Sequence, residues 1–139
     1  MSMTPEIQAF AAGFPLTLAH AAISLVYLVA SAVAYAFLTP YREIQEIRDG
    51  NAAAAVSYGG VLIGLAIPLA VSMNASTSTA ELAIWGFAVS VIQLLLFRIT
   101  DFALRGLPER VEEGEVAAAV LLVAAKLASA LLLSAAVAG

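Results

Sequence analysis

Lys126 is the one charged residue in a long apolar run, Val116–Gly139. An ammonium in such surroundings can pair with a carboxylate, hold an anion, or give up its proton. It sits about eleven residues from either end of that run, roughly 16 Å at the rise of an α-helix. A Lys side chain cannot reach water across that distance, and a charge at a bilayer centre costs at least ~2.5 kcal/mol. Some compensation is therefore expected. Gln93 lies at a similar depth in the preceding apolar run, Ser129 lies one turn along from Lys126, and His20 lies in the outer third of the first run. Lys126, Gln93 and His20 are the candidates for an intramembrane polar site, either an ion or solute path or a proton-linked group. The plainer alternative is a buried polar pair that fixes helix register.

Little other chemistry is available. Cysteine is absent, which removes disulfides, thiolate metal sites and a thiol nucleophile. The single His excludes a two-His metal site unless subunits pair. Glu109, Glu112, Glu113 and Glu115 could attract a cation or a basic partner. Acids in such a run more often sit in solvent beside a helix N-terminus, where the dipole favours them, and calcium-loop spacing is missing. Nucleophile, phosphate-loop and zinc motifs are missing too. No catalytic activity, cofactor or metal is expected. Six Lys plus Arg make no basic footprint, so nucleic acid is not an expected partner.

The elements that must position these groups are membrane spans. Hydrophobic residues make up 63% of the 139-residue chain and charged residues only 12%, far below the charge content of soluble domains. A bilayer core needs roughly 20 apolar residues of helix. The stretches Ile7–Tyr41, Gly50–Ala80, Leu82–Phe97 and Val116–Gly139 meet or approach that length with almost no charge. The expected fold is all-α, a polytopic membrane protein of four transmembrane helices forming a single membrane domain over 1–139. The first span is expected over Phe14–Leu38, with Pro15 in its first turn and Pro40 as its stop. The second follows Gly50 to about Met73, kinked at Pro68. The third runs from Ala80 to Leu104 and carries Arg98, Asp101 and Arg105 along one face. The fourth starts near Glu115.

Arginines set the orientation. Arg42, Arg48, Arg98, Arg105 and Arg110 lie in or beside the two charged connectors, and Met1–Gly13, Ser72–Glu81 and the C-terminus hold no Lys or Arg. Basic residues in short loops stay in the cytoplasm. Both connectors are expected inside and both termini outside. The start lacks the basic n-region of a signal peptide. Tyr41 and Trp85 suit the interfacial belts, while the deeper Tyr27 and Tyr58 need hydrogen-bond partners.

The chain also reads as a tandem repeat, over about 14–74 and 80–138. Asp49-Gly50-Asn51-Ala52-Ala53-Ala54 matches Glu113-Gly114-Glu115-Val116-Ala117-Ala118. Each copy is an acidic-Gly turn that opens an Ala-rich helix after a charged connector. Two spans per unit return the chain to its starting side, so the copies would be parallel. Within the second span Ala53, Ser57, Gly60 and Gly64 form one small-residue stripe. Small residues let helices approach closely in lipid, so the stripe is expected to pack helices, either within the bundle or across a dimer seam.

These turns, with Gly59-Gly60, Gly64, Pro68 and Gln93, resemble domain-of-unknown-function family 350, the YjfL-like small inner-membrane proteins of bacteria. The resemblance runs from about Phe14 onward. It implies four spans, two repeats and a bacterial inner membrane, and it brings no catalytic residues. The family often has Asn-Val where this chain has Glu115-Val116, which sets Glu115 apart from Asn51. The functional expectation is an oligomeric transporter or channel for a small solute or ion, lined by Lys126, Gln93 and His20. A homodimer or higher homo-oligomer is expected because four helices rarely enclose a path. The alternative is a non-transporting subunit or scaffold whose cytoplasmic turns dock a soluble protein. Access of water to Lys126 separates the two.

Overall fold

The computed structural model describes residues 3–40 and 42–139. Six helices follow one another among the described residues, with no strand: α1 Pro5–Leu38, α2 Glu43–Arg48, α3 Ala52–Ala75, α4 Thr79–Ala103, α5 Leu107–Glu112 and α6 Val116–Ala138. The helices α1, α3, α4 and α6 are long and apolar enough to span a bilayer. The protein is a four-span, all-helical membrane protein.

The first span begins earlier than its apolar core suggests. The Thr4 hydroxyl accepts from the amide of Ile7 and Pro5 occupies the first turn, a start signal of the usual kind. Pro15 therefore lies inside α1, not at its first turn. It removes one backbone donor, a loss that a long helix can bear. The connectors differ as well. Each folds into a six-residue helix, α2 or α5, where only charged loops were expected.

The two acidic-Gly turns close by the same set of hydrogen bonds. Gly50 N–H donates to Ile47 O and Asn51 N–H to Glu46 O; Gly114 N–H donates to Val111 O and Glu115 N–H to Arg110 O. Both glycines have φ of 92°. That left-handed conformation favours glycine and ends helices in this manner.

The helix α3 packs against all three other spans, most extensively against α6. Near the turns the seam consists of Ala53 and Ala54 against Ala118, Ala119 and Leu122, closed below by Val111 of α5. Further along, a Cβ on Gly60 would lie 2.5 Å from Val123 Cγ2, and one on Gly64 would lie 2.6 Å from Phe97 Cζ. Ala53, Ser57, Gly60 and Gly64 are all buried within this chain, with Ala53 and Gly60 against α6 and Gly64 against α4. The deeper tyrosines have partners: Tyr27 donates to Ala83 O and Tyr58 to Ala32 O, both at 2.7 Å. Trp85 is half-exposed. Tyr41, expected at the same kind of boundary, lies outside the described residues.

Candidate functional site

Three spans converge on one carboxylate. Asp101 lies two residues before the end of α4, and Tyr35 lies three before the end of α1. Lys126 lies ten residues into α6, and its side chain extends back toward the connectors to meet them. Lys126 Nζ is 2.8 Å from Asp101 Oδ1 and donates to Tyr35 Oη at 2.5 Å. Tyr35 Oη in turn donates to Asp101 Oδ2 at 2.5 Å. Arg98, one turn earlier on α4, donates to the same Oδ2 at 3.2 Å. The ammonium also lies 4.7 Å from the Tyr35 ring centroid and 5.8 Å from that of Phe97, positions in which the ring quadrupoles attract a cation.

The cluster is closed. Lys126 and Tyr35 are each 1% exposed and Asp101 is 8% exposed. A buried ion pair recovers its desolvation cost only when its remaining hydrogen bonds are also satisfied. Here one carboxylate accepts from two cations and a phenol. Only Arg98, 35% exposed, reaches toward water. With a carboxylate, a phenol and two ring faces around it, the ammonium has little capacity left for a ligand.

The three sequence candidates separate. Gln93 reaches the Lys126 backbone indirectly: its Nε2 donates to Ser129 Oγ at 3.0 Å, and Ser129 Oγ donates to Lys126 O at 2.7 Å. The Gln93 Oε1 atom is buried without a partner. His20 joins neither group. It lies fifteen residues before Tyr35 on α1, roughly 22 Å along the helix axis, with its Nε2 buried and unpartnered. Asp101 was legible only as part of the Arg98–Arg105 face of its span, and nothing in the sequence paired it or Tyr35 with Lys126. Arg105 leaves this face and stacks 5.1 Å from the Phe102 ring.

The repeat-turn residues form a second polar region at the connector face. Asn51 Oδ1 caps α3 by accepting from Ala54 N–H at 3.1 Å, and its Nδ2 donates to Val111 O and Glu112 O at 3.0 and 3.1 Å. One side chain thus clasps both turns. Glu115, at the matching place before α6, makes no cap bond. It pairs with Arg110 instead. That hydrogen bond holds the Glu115 carboxyl below the ordinary carboxylate range and raises the Arg110 guanidinium. Asp49, Gly50, Glu112, Glu113 and Gly114 border an open groove of about 430 Å³ between the turns. Among the described residues no three His, Asp or Glu cluster closely enough to hold a metal ion.

The family model "Domain of Unknown Function (DUF350)" matches residues 9–137. The chain belongs to this family. The match runs from α1 to α6, so the DUF350 region includes the ion-pair cluster and both glycine turns. Among curated relatives, inner membrane protein YjfL of Escherichia coli (strain K12) is 33% identical over 94 residues, covering 68% of this chain and 71% of YjfL. Transmembrane protein YshE of Bacillus subtilis (strain 168) is 27% identical over 84 residues, covering 60% of this chain and 63% of YshE. No solved structure matches.

Proposed function

We propose that this DUF350 protein is a non-transporting subunit of a bacterial inner membrane, whose connector face docks a soluble cytoplasmic protein. The observation that carries this reading is the closed state of Lys126. An ammonium bound by Asp101 and Tyr35 and 1% exposed is a strut between helices rather than a waypoint for a solute. The surface left for partners is the double turn clasped by Asn51, with Asp49, Glu112 and Glu113 exposed beside it. Its acidic character suits a partner with a basic patch. The reading includes no catalytic step.

The transport reading draws on a different observation. Ser57 Oγ, Ser90 Oγ and Gln93 Oε1 are buried without partners, polar atoms that could face a path if a homo-oligomer, a dimer or larger, opened one between protomers. Reconstitution distinguishes the readings. Proteoliposomes loaded with a pH-sensitive dye are expected to leak protons and K⁺ no faster than protein-free vesicles. Flux that disappears in Gln93→Leu would reverse the order of the two.

The orientation belongs to the same proposal. Arginines that lie only in or beside the connectors support a topology with both acidic-Gly turns in the cytoplasm and both termini outside. The matched hydrogen bonds of the two turns support a parallel pair of two-span units. Single cysteines at Ser76 and Glu112 are expected to react with an impermeant maleimide from opposite sides of the membrane, Ser76→Cys from outside. Labelling of Glu112→Cys in intact cells would invert the topology.

A further inference from the structure

The end of α1 and the start of α2 enclose a groove of about 540 Å³, a volume in the range of ligand sites. Val33, Ala36, Phe37 and Ile44 supply its apolar wall, and Thr39 and Arg42 border it at the connector end. Phe37 is 85% exposed, and Val33 and Ile44 are also exposed, so this wall is continuous with the lipid-facing side of α1. Arg42 follows α1 by four residues, at the level where the span gives way to the connector. It is exposed, and among the described residues it forms no ion pair. Glu43 also borders the groove, but it is 1% exposed and directed into the protein. The free charge at the mouth is therefore positive.

We propose that this groove holds one diacyl phospholipid of the connector-side leaflet, with an acyl chain along Val33 and Phe37 and the phosphate on the Arg42 guanidinium. An apolar trough that opens sideways to the bilayer suits a chain already dissolved there. A guanidinium at its interfacial end matches a phosphate in geometry and charge. The second connector offers no equivalent, because Arg105 lies over Phe102 and Arg110 is paired with Glu115.

Native mass spectrometry of the delipidated protein tests this with dioleoylphosphatidylglycerol as the probe. The wild type is expected to retain one molecule. Arg42→Gln should weaken retention about fivefold, the effect of one interfacial cation on an anionic lipid. Arg42→Lys should keep most of it, and Arg105→Gln all of it. Arg42 is exposed, so these variants leave the fold intact. Equal retention of dioleoylglycerol, which has the chains without the phosphate, would overturn the proposal. So would unchanged retention in Arg42→Gln, or capture of inorganic phosphate alone with no preference for the lipid.

Discussion

Asp101→Leu is expected to lower stability by about 3–5 kcal/mol, the cost of leaving one member of a buried ion pair without its counter-charge. In that variant the Lys126 ammonium keeps the Tyr35 hydroxyl and two ring faces, none of which carries a full negative charge. Lys126→Met should cost much less, because Asp101 retains Arg98 at 3.2 Å and the Tyr35 hydroxyl. The double variant Asp101→Leu/Lys126→Met should recover most of the loss, since apolar replacement of a whole buried pair is often neutral. Arg98 can then turn to water. The measurement is a double-mutant cycle from unfolding in detergent. If Asp101→Leu is as stable as the wild type, the cluster does not hold the spans together.

Gly60→Ala and Gly64→Ala are each expected to cost about 1–3 kcal/mol, as overpacking of a tight core does. A Cβ at Gly60 would meet Val123 Cγ2, Cγ1 and Cβ at 2.5, 2.8 and 3.0 Å. Val123 is β-branched, so it cannot swing clear. At Gly64 the obstacle is the ring of Phe97, fully buried and edge-on to Tyr35 at 5.9 Å between centroids. Displacing Phe97 would disturb the ammonium cluster as well. Gly59 is the internal control, because a Cβ there meets nothing within 4 Å. Gly59→Ala should be neutral or stabilise by up to about 1 kcal/mol through helix propensity. Leucine at Gly60 or Gly64 should be worse than alanine and lower thermal stability whatever the oligomer size. Equal melting of Gly59→Ala and Gly60→Ala would mean the stripe does not seat α6.

The spans were legible because lipid imposes a length and forbids charge, and both are one-dimensional properties of the chain. The stripe was legible for a related reason: Ala53, Ser57, Gly60 and Gly64 share a face by helical spacing alone. The partners of Lys126 were not. Its distance from the ends of its own run suggested the middle of the bilayer, yet it meets residues within a turn of the ends of α1 and α4. Relative helix height is fixed by three-dimensional contacts, such as Gly60 on Val123 and the seating of α5 beneath Ala53 and Ala119, and no residue spacing encodes it. The short helices α2 and α5 were hidden by their charge. Ile47, Leu107 and Val111 pack on the buried alanines, which gives each connector an apolar underside that six residues are too few to reveal as a period.

The ion pair also bears on how the chain enters the bilayer. The carboxylate precedes the ammonium in synthesis, and the connector 104–115 is all that separates their helices. When α6 leaves the insertion machinery, α4 is available beside it with Asp101 near the connector end. A helix that carries a lone lysine on its own is penalised at the point of lateral release into lipid. Partitioned together with α4, it brings the ammonium to its counter-ion before either group has to face hydrocarbon. The helices α4 and α6 are therefore expected to enter the bilayer as one hairpin, and a chain truncated after α4 would leave the Asp101 carboxylate without its lysine.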